Sequence, residues 1–115
     1  MGGGSRKNTE SHMSLNLRVS SRAEADLAAA FNWYQARGVN LGVDFVQCVD
    51  VTIGRIRQTP QIFRPRYGII RLAMTPRFPY AVYFIWDEAA ALVSIRRILH
   101  LARNAPDYFE PGKPG

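Results

Sequence analysis

Residues 67–74, 80–86 and 92–101 form three stretches rich in β-branched and aromatic side chains, and only five residues, 75–79 and then 87–91, link each to the next. A parallel crossover needs a dozen residues or more, so links this short leave antiparallel hairpins as the reading. Pro76 and Pro79 fall within the first link, where a missing N–H interrupts no ladder.

The first half of the chain has a different period. Leu15-Asn16-Leu17-Arg18-Val19 alternates apolar and polar residues, as a half-buried strand does. Ser21-x-x-Glu24 is a candidate capping box for a helix running to about Arg37, with Leu27, Phe31 and Tyr34 on one face and Gly38 as its stop. A second helix is expected from Asn40–Gly42. Its stripe is Val46, Val49, Ile53 and Ile56, and Pro60 ends it. Gly42 and Gly54 weaken that helix on propensity alone. Residues 61–66 then read as a connector. The order is β-α-α-β-β-β, an α+β domain in which a helical hairpin packs on a small antiparallel sheet.

Residues 1–12 are rich in Gly and Ser and end at a Ser11-His12-Met13 junction. They read as an expression tag and linker. The domain is expected over residues 13–106, with residues 107–115, which carry Pro111, Gly112 and Pro114, as a flexible tail. Cys48, the single cysteine, excludes an intrachain disulfide and reads as a small buried hydrophobe. No apolar run approaches a membrane span, no signal peptide follows Met13, and a cytoplasmic location is the expectation.

The net charge of +6 is unevenly distributed. Residues 55–103 hold nine arginines against two acids, Asp87 and Glu88, and outside the tag the only lysine is Lys113. The guanidinium fork holds phosphates and carboxylates bidentately, so the skew points to a polyanionic partner, nucleic acid or an acidic protein segment. Strand alternation sets Arg71 opposite to Ile70 and Leu72, and Tyr83 opposite to Val82 and Phe84. It sets Arg96 and His100 opposite to Val93, Ile95 and Leu99. With helices on the apolar face, Arg71, Tyr83, Arg96 and His100 are expected on the uncovered one, with Arg77 and Arg103 at its rim. Arg97 does not fit this parity. Neither a metal-ligand cluster nor a Gly-rich phosphate loop appears, and no cofactor is expected.

The chain resembles the RelE/ParE superfamily of type II toxins, the toxin halves of bacterial toxin–antitoxin pairs. The resemblance rests on Leu27 and the Trp33-Tyr34 pair, the helix end at Pro60, Arg71, the run Arg77-Phe78-Pro79-Tyr80 followed by Tyr83, and His100-x-x-Arg103. The strand and helix order read above is the order of this family. In place of the family's basic pair before Asp-Pro, the chain has Arg103-Asn104-Ala105-Pro106, and it carries an unusual Arg96-Arg97 pair.

The resemblance implies a cognate antitoxin, received near Trp33 and Tyr34, and one of two actions. ParE-like members inhibit DNA gyrase without chemistry of their own; RelE-like members cut messenger RNA on the ribosome. For the second action the candidate set is His100, Tyr83, Arg71 and Arg103. His100 is the side chain outside the tag that titrates near neutrality unaided. The set is thin, and the lysines typical of the ribonucleases are missing. The expectation is therefore a ParE-like inhibitor that contacts its target through Arg71, Arg77, Tyr83, Arg96, His100 and Arg103. The alternatives are a ribonuclease and a non-toxic basic module that binds protein or nucleic acid.

Overall fold

The computed structural model describes residues 16–102. Leu15, Arg103, the tag and the C-terminal tail lie outside the described residues. Strand β1 (Asn16–Val19) leads into helix α1 (Ser21–Gln35) and helix α2 (Leu41–Gln58). A 3₁₀ turn (Pro60–Ile62) precedes β2 (Pro65–Tyr67), β3 (Ile70–Met74), β4 (Tyr80–Asp87) and β5 (Leu92–His100). The five strands form one sheet in the order β1-β5-β4-β3-β2. The three late strands pair antiparallel, as their short links require. β1 returns beside β5 in parallel, with the helical hairpin as its crossover, so the α+β sheet is mixed at one edge.

Helix α1 starts one residue earlier than the capping-box spacing predicts. Ser20 is the N-cap and its Oγ accepts the Ala23 N–H at 3.0 Å. The same hydroxyl donates to the Arg96 carbonyl at 2.8 Å, which ties the helix start to β5. The α2 start has no side-chain cap of its own, since Asn40 takes a left-handed φ of 59°. Gln35 supplies the acceptor from α1, its Oε1 receiving the Gly42 N–H at 2.8 Å. At Gly42 the helices approach closely, and a Cβ there would lie 2.7 Å from the Phe31 carbonyl oxygen. Low helix propensity at Gly42 is thus offset by the approach it permits.

Residues 67–74, expected as one strand, divide into β2 and β3. Gly68 (φ 60°) and Ile69 make a two-residue turn between Tyr67 and Ile70. The β3–β4 link is closed by Thr75, whose Oγ1 lies 2.9 Å from the Phe78 carbonyl and 3.2 Å from that of Tyr80. In the β4–β5 link, Asp87 Oδ1 accepts the Ala90 N–H.

Both sheet faces bury apolar side chains. Under the helices, Val82 and Phe84 of β4 and Val93, Ile95 and Ile98 of β5 meet Phe45, Val49 and Ile56 of α2. Cys48 is buried in this layer, as its residue type predicts. The opposite face gathers Ile70, Leu72, Ala81, Tyr83, Ile85 and Leu99 around Tyr67. No helix among the described residues is long and apolar enough to cross a membrane.

Candidate functional site

The parallel pairing of β1 ends at Val19, opposite Ile95. Beyond that point α1 runs beside the β5 edge, and Asp26 takes over the exposed ladder by accepting the Ile98 N–H at 3.0 Å. Between helix and strand lies a groove of about 400 Å³, lined by Asp26, Ala29, Ala30, Trp33, Tyr34, Tyr80, Ile98, Leu99 and His100. Ala29 and Ala30 leave the space open because they are small. The Trp33 and His100 rings are among its walls.

Trp33 is 53% exposed, and the Arg37 guanidinium lies 3.6 Å from its ring centroid. Arg37 Nη1 also donates to the Trp33 carbonyl at 2.9 Å, so the cation is held in place on the ring. The i, i+4 spacing of the two residues carried this signal in the sequence, and sequence reasoning missed it. Tyr34 faces the groove but is core: its ring contacts those of Phe45, Phe78 and Tyr80. Burial pushes the Tyr34 phenol up from its ordinary value. His100 packs edge-on to Tyr80, with centroids 5.2 Å apart. Its Nδ1 accepts the Ala102 N–H at 3.0 Å, which puts the proton of the neutral ring on Nε2.

The expected common face for Arg71, Tyr83, Arg96 and His100 does not form. Arg71 pairs with Phe84 and lies on the helix side of the sheet. Its Nη1 donates to the Phe63 carbonyl at 2.6 Å, and its guanidinium sits 5.5 Å from the Trp86 ring centroid. An arginine is tolerated there because α2 stops at Gln58 and leaves that end of the face partly uncovered. Tyr83 is on the opposite face, 4% exposed. Its phenol is pushed up by burial and by nearby Tyr67, against a lowering influence of Arg66.

A register shift between Tyr83 and Phe84 of β4 makes Arg96 the extra residue of a β-bulge, since Arg97 pairs with Tyr83 and Ile95 with Phe84. The bulge resets the alternation of β5. His100 and Ile98 therefore share the helix side, and Leu99 turns to the other face. Arg96 is exposed, and Arg97 is drawn to the helix by Asp26. Arg77 projects from the β3–β4 link at φ 69°, 61% exposed along its side chain and 3.7 Å from Asp44 of α2. Arg103 lies outside the described residues. Among the described residues, no group of three or more His, Cys, Asp and Glu side chains is placed to hold a metal ion.

The model of the family described as "ParE toxin of type II toxin-antitoxin system, parDE" matches residues 17–105. No curated protein matches the chain. Among solved structures, the chromosomal ParDE toxin–antitoxin system of P. aeruginosa is similar at 24% identity with a TM-score of 0.67, over 77% of this chain and 97% of that one. The toxin–antitoxin complex RelBE2 of Mycobacterium tuberculosis is similar at 18% identity with a TM-score of 0.53, over 76% of this chain and 98% of that one. These two likenesses carry the fold, and the family match covers most of the chain. The protein belongs to the ParE toxin family of type II toxin–antitoxin systems.

Proposed function

We propose that the protein acts as a non-catalytic inhibitor of DNA gyrase and that a cognate antitoxin neutralises it by filling the groove between α1 and β5. The observation that carries the first half is the dispersal of the described members of the would-be ribonuclease set, Arg71, Tyr83 and His100. Cutting RNA through its 2′-OH needs a base, an acid and cations within reach of one phosphate. Arg71 and Tyr83 are on opposite faces of the sheet. His100 pairs with Tyr80, four residues along β4 from the partner of Arg71, which is roughly 13 Å of strand. Tyr83, with its phenol pushed up, is a weaker proton donor than an ordinary tyrosine.

The groove supports the second half. It offers an exposed Trp33, small alanines in its lining and a strand edge whose Ile98 N–H is held by the Asp26 carboxylate. These suit an amphipathic segment that orders as it binds. Induction of the toxin alone in cells tests the target. The DNA-damage response and filamentation, with translation largely intact, are expected. Prompt codon-linked cleavage of messenger RNA on ribosomes contradicts the reading.

A further inference from the structure

Residues 51–86 carry six arginines and no acidic residue. Four of them, Arg55, Arg64, Arg66 and Arg71, are gathered at the sheet edge away from the groove, where α2 ends and the β2–β3 hairpin begins. Arg64 and Arg66 are exposed and flank Pro65, roughly 6.7 Å apart along an extended chain. Arg55 and Arg71 are organised around one aromatic ring. The Arg55 guanidinium lies 5.6 Å from the Phe63 centroid, and Arg71 holds the Phe63 carbonyl. Among the described residues, the ion pairs of Arg97 with Asp26 and of Arg77 with Asp44 engage arginines elsewhere. A cation in the last turn of α2 complements the helix dipole, which accounts for Arg55 but not for Arg64 and Arg66.

We propose that this arginine strip binds the phosphate backbone of duplex DNA, so that the toxin engages gyrase while the enzyme holds its DNA. The gyrase setting rests on the reading above, whereas DNA binding by the strip stands on its own. The edge itself discriminates against an acidic peptide added as a strand. Pro65 has no N–H to offer, and the register shift between Pro65 and Tyr67 breaks the ladder at Arg66. Recognition there falls to side chains, and guanidinium forks match phosphate oxygens. Phe63 and Tyr67 are both half-buried, so the strip lacks the open aromatic platform on which splayed single-stranded bases stack. Contacts of this kind hold the backbone without reading sequence.

The test is fluorescence anisotropy of the full chain with a short labelled DNA duplex of arbitrary sequence across a salt series. Binding should weaken linearly in log–log form as salt rises. The double variant Arg64→Gln/Arg66→Gln should lower that slope by about 2, one counterion for each lost phosphate contact. Its melting temperature should stay unchanged, since both side chains are exposed. Arg18→Gln, on exposed β1 at the opposite edge of the sheet, should bind DNA like the parent. Absence of salt-dependent binding, an equal loss in Arg18→Gln, or tighter capture of labelled polyglutamate or duplex RNA than of DNA would overturn the proposal. Gyrase inhibition by the parent protein is measured in parallel. DNA binding without inhibition contradicts the gyrase reading alone, and inhibition without DNA binding contradicts the strip alone.

Discussion

Asp26 and Arg97 join helix α1 to strand β5 through a fork-to-fork ion pair, with Arg97 Nε donating to Oδ2 at 2.8 Å and Nη2 to Oδ1 at 3.0 Å. Both side chains are largely buried, and Oδ2 also accepts the Ile98 N–H. One carboxylate thus completes the strand edge where β1 stops. Removing it leaves a mostly buried guanidinium without this partner and a backbone donor without an acceptor. Asp26→Ala should therefore lower stability by about 3 kcal/mol. Asp26→Asn, which keeps an acceptor for the N–H, should cost less. Urea denaturation of the two variants checks the order, and equal small losses would mean that the pair does not anchor the groove.

The two glycines of α2 should respond in opposite directions to the same substitution. Gly42→Ala drives a methyl group against the Phe31 carbonyl and should destabilise by about 1–3 kcal/mol. Gly54→Ala meets nothing within 4 Å and should stabilise by about 0.5–1 kcal/mol through helix propensity. Thermal melts of both variants test the contrast.

Tyr83 is a scaffold residue by its burial. Tyr83→Ala should cost about 3–5 kcal/mol, so any loss of toxicity in that variant reports unfolding. Tyr83→Phe should keep most of the stability and the toxicity. The phenols of Tyr83 and Tyr34 are both raised above the ordinary 10.0, so the folded state holds their protons longer than the unfolded chain does. Their contribution is present below pH 10 and is lost as pH climbs through the folded values. Stability measured from pH 9 to 11 should fall less steeply in Tyr83→Phe than in the parent. An unchanged slope would show that Tyr83 does not contribute to this alkaline loss.

Trp33 and Tyr34 are adjacent in sequence and should separate in experiment. Trp33→Ala removes an exposed ring and should weaken antitoxin binding at least tenfold, a loss typical of a central aromatic anchor, with little change in melting temperature. Tyr34→Ala removes a ring packed on Phe45 and edge-on to Phe78 and Tyr80, and should unfold the domain before it informs on binding. Titration calorimetry with the antitoxin, alongside thermal melts, distinguishes the two.

Local signals in the sequence carried the order of elements. Pro60 stops α2, short links enforce hairpins, and Gly38 follows α1. The face of each cationic residue was harder to read, because alternation holds only along an unbroken ladder. One inserted residue at Arg96 reverses β5 from that point on, and the misfit of Arg97 was its only trace in the sequence. Arg71 departs from its expected face for a different reason. Polar residues are expected away from the helices, but α2 ends short of this end of the sheet and leaves room for a guanidinium over Trp86. The hairpin at Gly68 was hidden within an apolar run that period alone reads as one strand.

Supercoiling by purified gyrase in the presence of the purified toxin measures whether the protein inhibits the enzyme. Inhibition is expected at toxin concentrations near those of the enzyme, relieved by prior addition of the antitoxin, with ribosome-bound messenger RNA left intact in a parallel reaction. Undisturbed supercoiling together with cleavage of that messenger RNA would contradict the gyrase reading.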